Sequence, residues 1–263
     1  MTNPYFISEP SVISFSGGRT SAYMLYRILE AHSFKLPEET MVIFANTGKE
    51  DEETLKFVKA CQDNWNVPIT WVEYRASKPG YEIVTYETAS RNGEPFEQLI
   101  TKKKYLPNTF ARFCTQELKV NLMKKVFPLK YFVTLVGIRA DEPRRVAKMA
   151  ANKDEKYCPL AVAGVTQKDV IDFWKQNSFD LKLTVIDGKT PLGNCDLCFL
   201  KDLKQKLSIV KRYPEKVVWW EKMETQIGAT FRRDHPEYRH MVSKANEQVE
   251  MFADESIPCF CGD

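Results

Sequence analysis

Four short apolar runs recur along the first half of the chain, each bounded by polar or turn-forming residues. They are residues 12–15 (VISF), 40–45 (TMVIFA), 69–74 (ITWVEY) and 131–137 (YFVTLVG). Nearly continuous apolar runs of this length are typical of strands that are covered on both faces of a parallel sheet. The pattern therefore predicts four buried strands.

Helical periodicity fills the gaps between these strands, over residues 21–31 and 51–64. The second helix follows Thr47 and Gly48, and its first turn carries acidic residues, which complement the positive end of a helix dipole. Alternating strands and helices predict parallel pairing with right-handed crossovers. We therefore expect an α/β fold with an open, mostly parallel sheet and helices on both of its faces.

The rest of the chain is predicted to be mainly helical. Two helices are expected at 96–104 and at 115–127, and a third follows Thr166, which suits an N-cap with Asp169 at the third helical position. From about residue 196 the pattern is helical, and no repeat or Gly/Ser linker interrupts it. We predict an α/β domain over 1–195 and a helical C-terminal subdomain over 196–263.

Composition places the chain among folded, non-membrane proteins. Its 263 residues are 43% hydrophobic, which is enough for a substantial core, and no apolar run approaches the roughly 20 residues that span a bilayer. The start, MTNPYFISEP, lacks the features of a signal peptide. We expect a cytoplasmic protein, in which seven cysteines favour metal binding or redox chemistry over disulfides.

The small net charge of +3 conceals an uneven distribution. Residues 101–148 hold twelve Lys and Arg against three acidic side chains, whereas the last eighteen residues hold five acidic side chains and no basic one. A basic middle and an acidic tail suggest an anionic ligand and a tail able to approach its site, although solvated helix faces give the same pattern. The sequence shows no aromatic side chains interleaved as a nucleic-acid stacking platform requires.

The loop after the first strand, SFSGGRTS, has the chemistry of an anion site. At the carboxyl end of a parallel strand, Gly17 and Gly18 can adopt positive φ and present backbone N–H groups to a phosphate. Ser16, Thr20 and Ser21 add hydroxyl donors, and Arg19 can fork phosphate oxygens. The patterns GxxxxGK[ST] and GxGxxG are both absent, so a Walker-type or dinucleotide loop is disfavoured.

This loop resembles the PP-loop signature SGGxxS of the adenine nucleotide α-hydrolase superfamily, and in particular its phosphoadenylylsulfate (PAPS) reductase family. Further motifs follow in the family's order: NTGKE at 46–50, GIRADEPRR at 137–145, and CPL at 158–160 before TQKDV at 166–170. The resemblance runs from about residue 12 to 221. It departs at Arg19-Thr20, where many PP-loop enzymes have Lys-Asp, so nucleotide hydrolysis is less firmly implied than nucleotide binding.

The resemblance implies an adenine nucleotide as cofactor or substrate (PAPS, adenylylsulfate or ATP), with Mg²⁺ as an additional candidate. In this family the NTGKE turn lies on the adenosine side and the arginine loop faces the sulfate or phosphate. The expected nucleotide-binding residues are Ser16, Gly17, Gly18, Arg19, Thr20, Ser21, Thr47, Gly48, Gly137, Arg139, Arg144 and Arg145.

Three separated cysteine groups provide candidate metal ligands. Cys195 and Cys198 form a CxxC, Cys114 precedes a predicted helix whose dipole favours a thiolate, and Cys259 and Cys261 lie in the acidic tail. Four thiolates from these groups suit a [4Fe-4S] cluster, and a four-thiolate zinc site is the alternative. Cys61 is expected to be a buried core residue.

The resemblance favours iron–sulfur, because iron–sulfur adenylylsulfate reductases also carry a CxxC followed by a tryptophan-rich WWE, here 219–221. Their middle group is CC, which this chain replaces with Phe113-Cys114. We predict Cys114, Cys195, Cys198 and Cys261 as ligands, with Cys259 or Cys158 as other candidates for the fourth. The family's tail nucleophile would then be Cys259, although its usual surroundings, ECGLH, are absent.

Three functions remain open on these residues. The first is a reductase that converts PAPS or adenylylsulfate to sulfite, with a thioredoxin-like reductant as partner. The second is an ATP-dependent sulfur transferase acting on tRNA or DNA, in which the basic segment contacts nucleic acid. The third is a nucleotide- or cluster-binding partner protein without turnover. We also expect a homo-oligomer, in the simplest case a dimer.

Overall fold

The computed structural model describes residues 3–151, 156–186 and 189–247. Its six-stranded sheet has the order β4-β3-β2-β1-β5-β6, and every neighbouring pair is parallel except β3 and β4. The strands are β1 (Ser11–Ser14), β2 (Thr40–Asn46), β3 (Ile69–Tyr74), β4 (Tyr81–Val84), β5 (Val133–Val136) and β6 (Lys156–Tyr157).

The predicted α/β class with a mostly parallel sheet is confirmed, and each of the four predicted strands lies within two residues of an observed one. The sequence missed two edge strands. In β4 the side chain of Ile83 is 60% exposed, so the strand lacks a continuous buried run, and β6 has only two residues. Edge strands of this kind carry little hydrophobic signal.

Helices surround the sheet. They are α1 (Arg19–Ala31), α2 (Glu52–Asn64), α3 (Glu94–Lys103), α4 (Phe113–Thr115), α5 (Asn121–Val126), α6 (Pro143–Ala150), α7 (Pro159–Val162), α8 (Gln167–Lys175), α9 (Leu203–Arg212), α10 (Val217–Ile227) and α11 (Met241–Asn246). A π-helical turn, Gln116–Val120, joins α4 to α5. Short 3₁₀ turns, Pro214–Lys216 and Tyr238–His240, precede α10 and α11.

Local capping explains where several helices begin. The Asp51 side chain accepts a hydrogen bond from the Glu53 amide at the start of α2, and Asp202 accepts one from Gln205 at the start of α9. The predicted N-cap of α8 is confirmed as a capping box between Thr166 and Asp169. These contacts satisfy amide groups that have no partner within the helix.

One continuous hydrophobic core joins the sheet to the C-terminal helices. Phe44 and Leu135 of the sheet belong to the same cluster as Phe199, Trp220 and Phe231. The helical character predicted beyond residue 196 is confirmed, whereas the domain boundary at 195/196 stays a prediction. No helix in the described ranges is long and apolar enough to cross a membrane.

Candidate functional site: a phosphate loop beside a cysteine pair

The loop between β1 and α1, residues 15–18, is called the phosphate loop after its predicted role. One of its glycines has a left-handed backbone conformation. Gly17 has φ +79°, and a Cβ there would lie 2.7 Å from Cγ2 of Thr54. Gly18, in contrast, is the N-cap of α1 with φ −94° and ψ 161°, which side-chain-bearing residues adopt without strain. The expectation of positive φ is therefore confirmed for Gly17 and wrong for Gly18.

Two serines brace the loop from within. The Ser21 hydroxyl donates to the Gly18 carbonyl at 2.9 Å, accepts from the Ser16 amide at 3.2 Å and lies 2.9 Å from the Ser16 hydroxyl. Ser21 is fully buried, so its oxygen is occupied by the loop rather than turned outward. The expected role of Ser21 as a phosphate donor stays a prediction, and its observed contacts are structural.

A cavity of about 510 Å³ opens against this loop at the start of α1. Its volume falls within the range of small-molecule sites. Most of its lining residues come from the phosphate loop, from α8 and the segment after it, and from the CxxC region. They are Ser16, Gly17, Gly18, Arg19, Thr20, Thr54, Arg139, Gln167, Val170, Ile171, Leu181, Leu183, Thr190, Pro191, Gly193, Asn194, Cys198, Leu200, Lys201 and Gln205.

Two of the predicted arginines line this cavity. Arg139 donates from Nη1 to the Thr20 hydroxyl at 3.2 Å, which places its guanidinium beside the phosphate loop. Arg19 instead makes a bidentate ion pair with the Asp180 carboxylate. Its Nε donates to Oδ1 at 2.7 Å and its Nη2 donates to Oδ2 at 2.6 Å. To bind a phosphate as expected, Arg19 would therefore have to break its ion pair with Asp180 and pair with the ligand instead.

The other residues of the arginine loop lie outside the cavity lining. Arg145 is buried, and within the described chain its Nε and Nη2 have no hydrogen-bond partner, while its Nη1 donates to Glu142. Arg144 is exposed on α6. At Gly137 a Cβ would lie 3.0 Å from the Ser21 Cα, so glycine permits β5 to end against the start of α1.

The NTGKE turn faces inward rather than toward this cavity. The Glu50 carboxylate accepts from the Thr47 amide and hydroxyl, both at 2.8 Å. Gly48 has φ +76°, and a Cβ there would lie 2.9 Å from the Gly93 nitrogen. Thr47 and Gly48 are absent from the cavity lining, so their expected nucleotide contacts stay predictions.

This turn holds the CxxC loop through a buried ion pair. Lys49 Nζ lies 3.1 Å from Oδ2 of Asp196, the residue after Cys195, and both side chains are less than a tenth exposed. Oδ1 of Asp196 accepts from the Trp220 indole at 2.8 Å. Because a buried charge is costly unless it is paired and hydrogen-bonded, this arrangement fixes the CxxC loop against β2.

A second lysine, which sequence reasoning missed, clamps the same loop. Lys201 donates from Nζ to the carbonyl oxygens of Gly193 and Cys195, both at 2.8 Å. Asn194, between these residues, has φ +59°, an uncommon conformation for a residue with a side chain. The loop that presents the two cysteines is therefore held by charged contacts on both sides.

Three of the predicted metal ligands surround one small void. Cys114, Cys195 and Cys198 line a space of about 20 Å³ together with Thr47 and Lys119. This volume suits about one water molecule. The described side chains form no group of three His, Cys, Asp or Glu residues close enough to hold a metal ion. The three cysteines line one void and have the chemistry of cluster ligands, but the void must open before a cluster fits.

Cys198 lies on the wall between the two spaces. Asn194, Cys198 and Leu200 line both the large cavity and the cysteine void. A ligand at the phosphate loop therefore shares its cavity with one cysteine of the CxxC. The tail cysteines Cys259 and Cys261, predicted as nucleophile and fourth ligand, lie outside the described residues.

Burial affects the chemistry of the other described cysteines. Burial, reinforced by the neighbouring Glu50 carboxylate, raises the pKa of Cys195 well above its usual range. Metal binding would have to displace that proton, because thiolates are the ligands. Cys158 lies at the end of β6 beside Arg145, away from the void, and Cys61 is fully buried in the core of α2. The core expectation for Cys61 is confirmed.

A buried lysine that the sequence analysis missed lies next to the CxxC. Its signal is helical spacing, which places it on the apolar face of α9 with Leu203, Leu207 and Val210. Lys206 of α9 is fully buried, and its Nζ has no hydrogen-bond partner among the described residues. Its ammonium lies 5.3 Å from the centre of the Tyr238 ring. Burial, together with the nearby Arg232 charge, lowers the pKa of Lys206 from its usual 10.5 to about 7.

This lysine should make stability depend on pH in a defined direction. Between pH 7 and 10.5 the unfolded chain holds the Lys206 proton and the folded chain does not, so the free energy of unfolding rises with pH. Urea unfolding is measured from pH 7 to about the middle of this pH range. The free energy of unfolding should rise with pH in the wild type and not in K206M. The exposed Lys204 of the same helix supplies the control, since K204M should keep the rise. Equal pH dependence in wild type and K206M would contradict the assignment.

Two uncharacterized phage proteins are similar to this chain in sequence. The chain is 30% identical over 211 residues to the uncharacterized nin region protein ORF290 of Escherichia phage lambda, covering 76% of this chain and 68% of that protein. It is 24% identical over 286 residues to an uncharacterized 37.8 kDa protein of Escherichia phage 186, covering 93% of this chain and 84% of that protein.

One solved structure similar to this chain is the U34-tRNA thiolase NcsA from Methanococcus maripaludis with its [4Fe-4S] cluster. The identity is 14% and the TM-score 0.38, over 95% of this chain and 78% of that one. The model of the phosphoadenosine phosphosulfate reductase domain matches residues 10–183, which include the phosphate loop, the arginine loop and α8. The protein therefore belongs to the phosphoadenosine phosphosulfate reductase domain family.

Proposed function

We propose that the protein is a sulfonucleotide reductase that binds PAPS or adenylylsulfate and releases sulfite. The observation that carries this proposal is that one cavity is lined by the loop after β1, by Arg139 and by Cys198. A nucleotide whose phosphates bind the amides at the start of α1 would direct its other groups along this cavity toward the cysteines.

The residues of the cavity and one tail cysteine have separate roles in this reaction. The amides of Gly18 and its neighbours hold the phosphate, and the Arg139 guanidinium balances the charge of the sulfo group. A thiolate, assigned to Cys259, attacks the sulfo sulfur, the S–O bond to phosphate breaks, and adenosine phosphate leaves with the electron pair. A dithiol reductant then attacks the resulting thiosulfonate, releasing sulfite and leaving a disulfide.

The cysteine void supplies the second part of the proposal. Cys114, Cys195, Cys198 and one tail cysteine would hold a [4Fe-4S] cluster, which supplies electron-transfer capacity when bound. Support comes from the convergence of three described thiols on one void, next to the cavity. The buried Lys49–Asp196 pair would keep the CxxC loop in place when that void opens.

A second function, ATP-dependent sulfur transfer to a nucleic acid, is favoured by a separate observation. The connection between α3 and α4, just before Cys114, exposes aromatic and basic side chains, including Phe110 at 98% exposure. A nucleic-acid acceptor bound there would lie close to the cysteine void. In that reaction the phosphate loop would hold ATP while the acceptor is adenylated.

The identity of the released product separates these functions. Anaerobically purified protein is incubated with PAPS, adenylylsulfate or ATP, with a dithiol reductant and with or without RNA or DNA. Sulfite formed without ATP supports the reductase. Pyrophosphate formed only when nucleic acid is present supports sulfur transfer, and the absence of both products leaves a non-catalytic binding protein.

A further inference from the structure

The connection between α3 and α4, residues 104–112, presents one aromatic side chain entirely to solvent. Phe110 is 98% exposed, the largest exposed fraction among the exposed large hydrophobic side chains of the described chain. A fully exposed phenylalanine buries none of its surface in its own fold, so it contributes no packing to stability. A single exposed apolar side chain is common on protein surfaces, so its meaning depends on the side chains around it.

The turn that carries Phe110 is ordered by its own hydrogen bonds. Oδ1 of Asn108 accepts from the amides of Phe110 at 3.0 Å and Ala111 at 2.9 Å, and the Asn108 amide donates to the Ala111 carbonyl at 3.2 Å. Tyr105, at the start of the connection, packs edge-on against Phe113 with ring centres 4.8 Å apart. These contacts order the backbone of the turn that carries the exposed ring.

The surface around this ring is basic. Residues 102–112 hold four basic side chains and no acidic one. Lys103 pairs with Glu117 at 3.0 Å, whereas Lys102 and Lys104 are exposed and make no ion pair with a described residue. Arg112, which is half-buried, lies two residues from Phe110. Charge complementarity therefore selects a polyanion as the partner rather than an acidic patch of modest charge.

We propose that residues 102–112 bind a single-stranded nucleic acid, with an unpaired base stacked on Phe110 and the neighbouring phosphates paired with Lys102, Lys104 and Arg112. Base stacking on an aromatic ring within a basic surface is how proteins hold single strands without reading their sequence. In a duplex both faces of each base are already stacked on neighbouring bases, so no base face is available to stack on Phe110. This inference rests on the second proposed function, sulfur transfer to a nucleic acid, and specifies the surface and the single-stranded form of the acceptor. It places one aromatic ring among the basic side chains, whereas the sequence showed no interleaved stacking platform.

The position of this surface relates it to the candidate site. Phe110 lies four residues before Cys114, which lines the cysteine void. A nucleic-acid strand bound at 102–112 would therefore lie near Cys114. A loop of structured RNA and a stretch of unpaired DNA share the required chemistry.

Binding of labelled oligonucleotides to the full-length protein tests the proposal. Fluorescence anisotropy is measured with single-stranded RNA, single-stranded DNA and duplex DNA of about 16 nucleotides, without any added nucleotide. We expect the single strands to bind and the duplex to bind more weakly. F110A should weaken single-strand binding about fivefold or more, and F110W should preserve it.

Two controls separate stacking from charge and from general surface effects. Phe6 is 61% exposed and stacks on His32 after α1, so F6A should leave the affinity unchanged. The double variant K102A/K104A should lower the slope of log affinity against log salt by about 1.4, since each single-strand phosphate contact contributes about 0.7.

Equal single-strand affinity of wild type and F110A would overturn the proposal. Loss of turnover with a protein reductant in F110A, without any change in oligonucleotide binding, would also overturn it and assign the surface to a protein partner. Because the measurement needs neither nucleotide turnover nor a cluster, failure of the proposed reaction would not affect it.

Discussion

Replacing Gly18 by valine is expected to weaken binding of PAPS, adenylylsulfate and ATP about 100-fold or more while leaving the fold intact. Gly18 lies at the start of α1 and lines the cavity, so an isopropyl group there would stand in front of the amides that receive the phosphate. Its φ of −94° and ψ of 161° suit a β-branched residue, so the variant should fold. Calorimetric titration with each nucleotide measures the loss.

Gly17→Ala supplies the contrast, because it should destabilise the protein. At φ +79°, with Cγ2 of Thr54 only 2.7 Å from an added Cβ, alanine imposes both backbone strain and a clash. We expect a loss of about 1–3 kcal/mol in the free energy of unfolding. Unchanged nucleotide affinity in G18V would contradict the phosphate site, and an unstable G18V would contradict the assigned backbone geometry.

The second large effect concerns the cysteines that line the void. Anaerobically purified wild type should contain about four iron atoms per chain, and C114A, C195A and C198A should each retain less than about one. The reason is that removal of one thiolate leaves an iron of the cluster without its protein ligand. Iron and sulfide analysis, together with visible absorption, measures the content.

Cys61 provides the matched control, since it is buried in α2 and does not line the void. C61A should keep its iron. Parallel analysis of C158A, C259A and C261A identifies the fourth ligand as the one whose loss also removes iron. A colourless wild-type protein with about one zinc per chain would select the four-thiolate zinc site, and iron retained in all three void variants would contradict the ligand set.

Much of the fold could be predicted because the strongest sequence signals come from buried elements. The runs that became β1, β2, β3 and β5 are apolar on both faces, and the order of strands and helices leaves few topologies. The two edge strands escaped because their side chains are partly exposed or too few. Glycine roles were harder, because a Gly-Gly pair does not show which glycine has positive φ.

Motif order predicted that the loop after β1 borders a cavity and that Cys114 lies near the CxxC, whereas the supporting contacts could not be predicted. Asp180 pairs with Arg19 across 161 residues of sequence, and no local pattern predicts that pair. Lys206 lies on the apolar face of α9 with Leu203, Leu207 and Val210, but the helix alone does not show that the CxxC region covers this face. Both contacts depend on how the segment after α8 and the C-terminal helices pack on the sheet.

The position of the NTGKE turn was predicted correctly, whereas the structural contacts of its side chains were not predicted. Its position after β2 agrees with expectation, but Lys49 and Glu50 turn inward to the CxxC loop and to Thr47. The motif therefore connects the two parts of the candidate site through buried charge. Exposed lysine and glutamate would have been the simpler expectation for these residue types.

The most direct measurement of the central claim, that nucleotide phosphates and Cys198 share one cavity, is protection of that thiol from alkylation. In cluster-free protein, iodoacetamide labelling of Cys198 is followed by mass spectrometry, with Cys114 as the internal reference because it lines only the void. An adenine nucleotide at about ten times its Kd should slow labelling of Cys198 about tenfold relative to Cys114, and G18V should show no protection. Equal labelling of Cys198 with and without bound nucleotide would contradict the shared cavity.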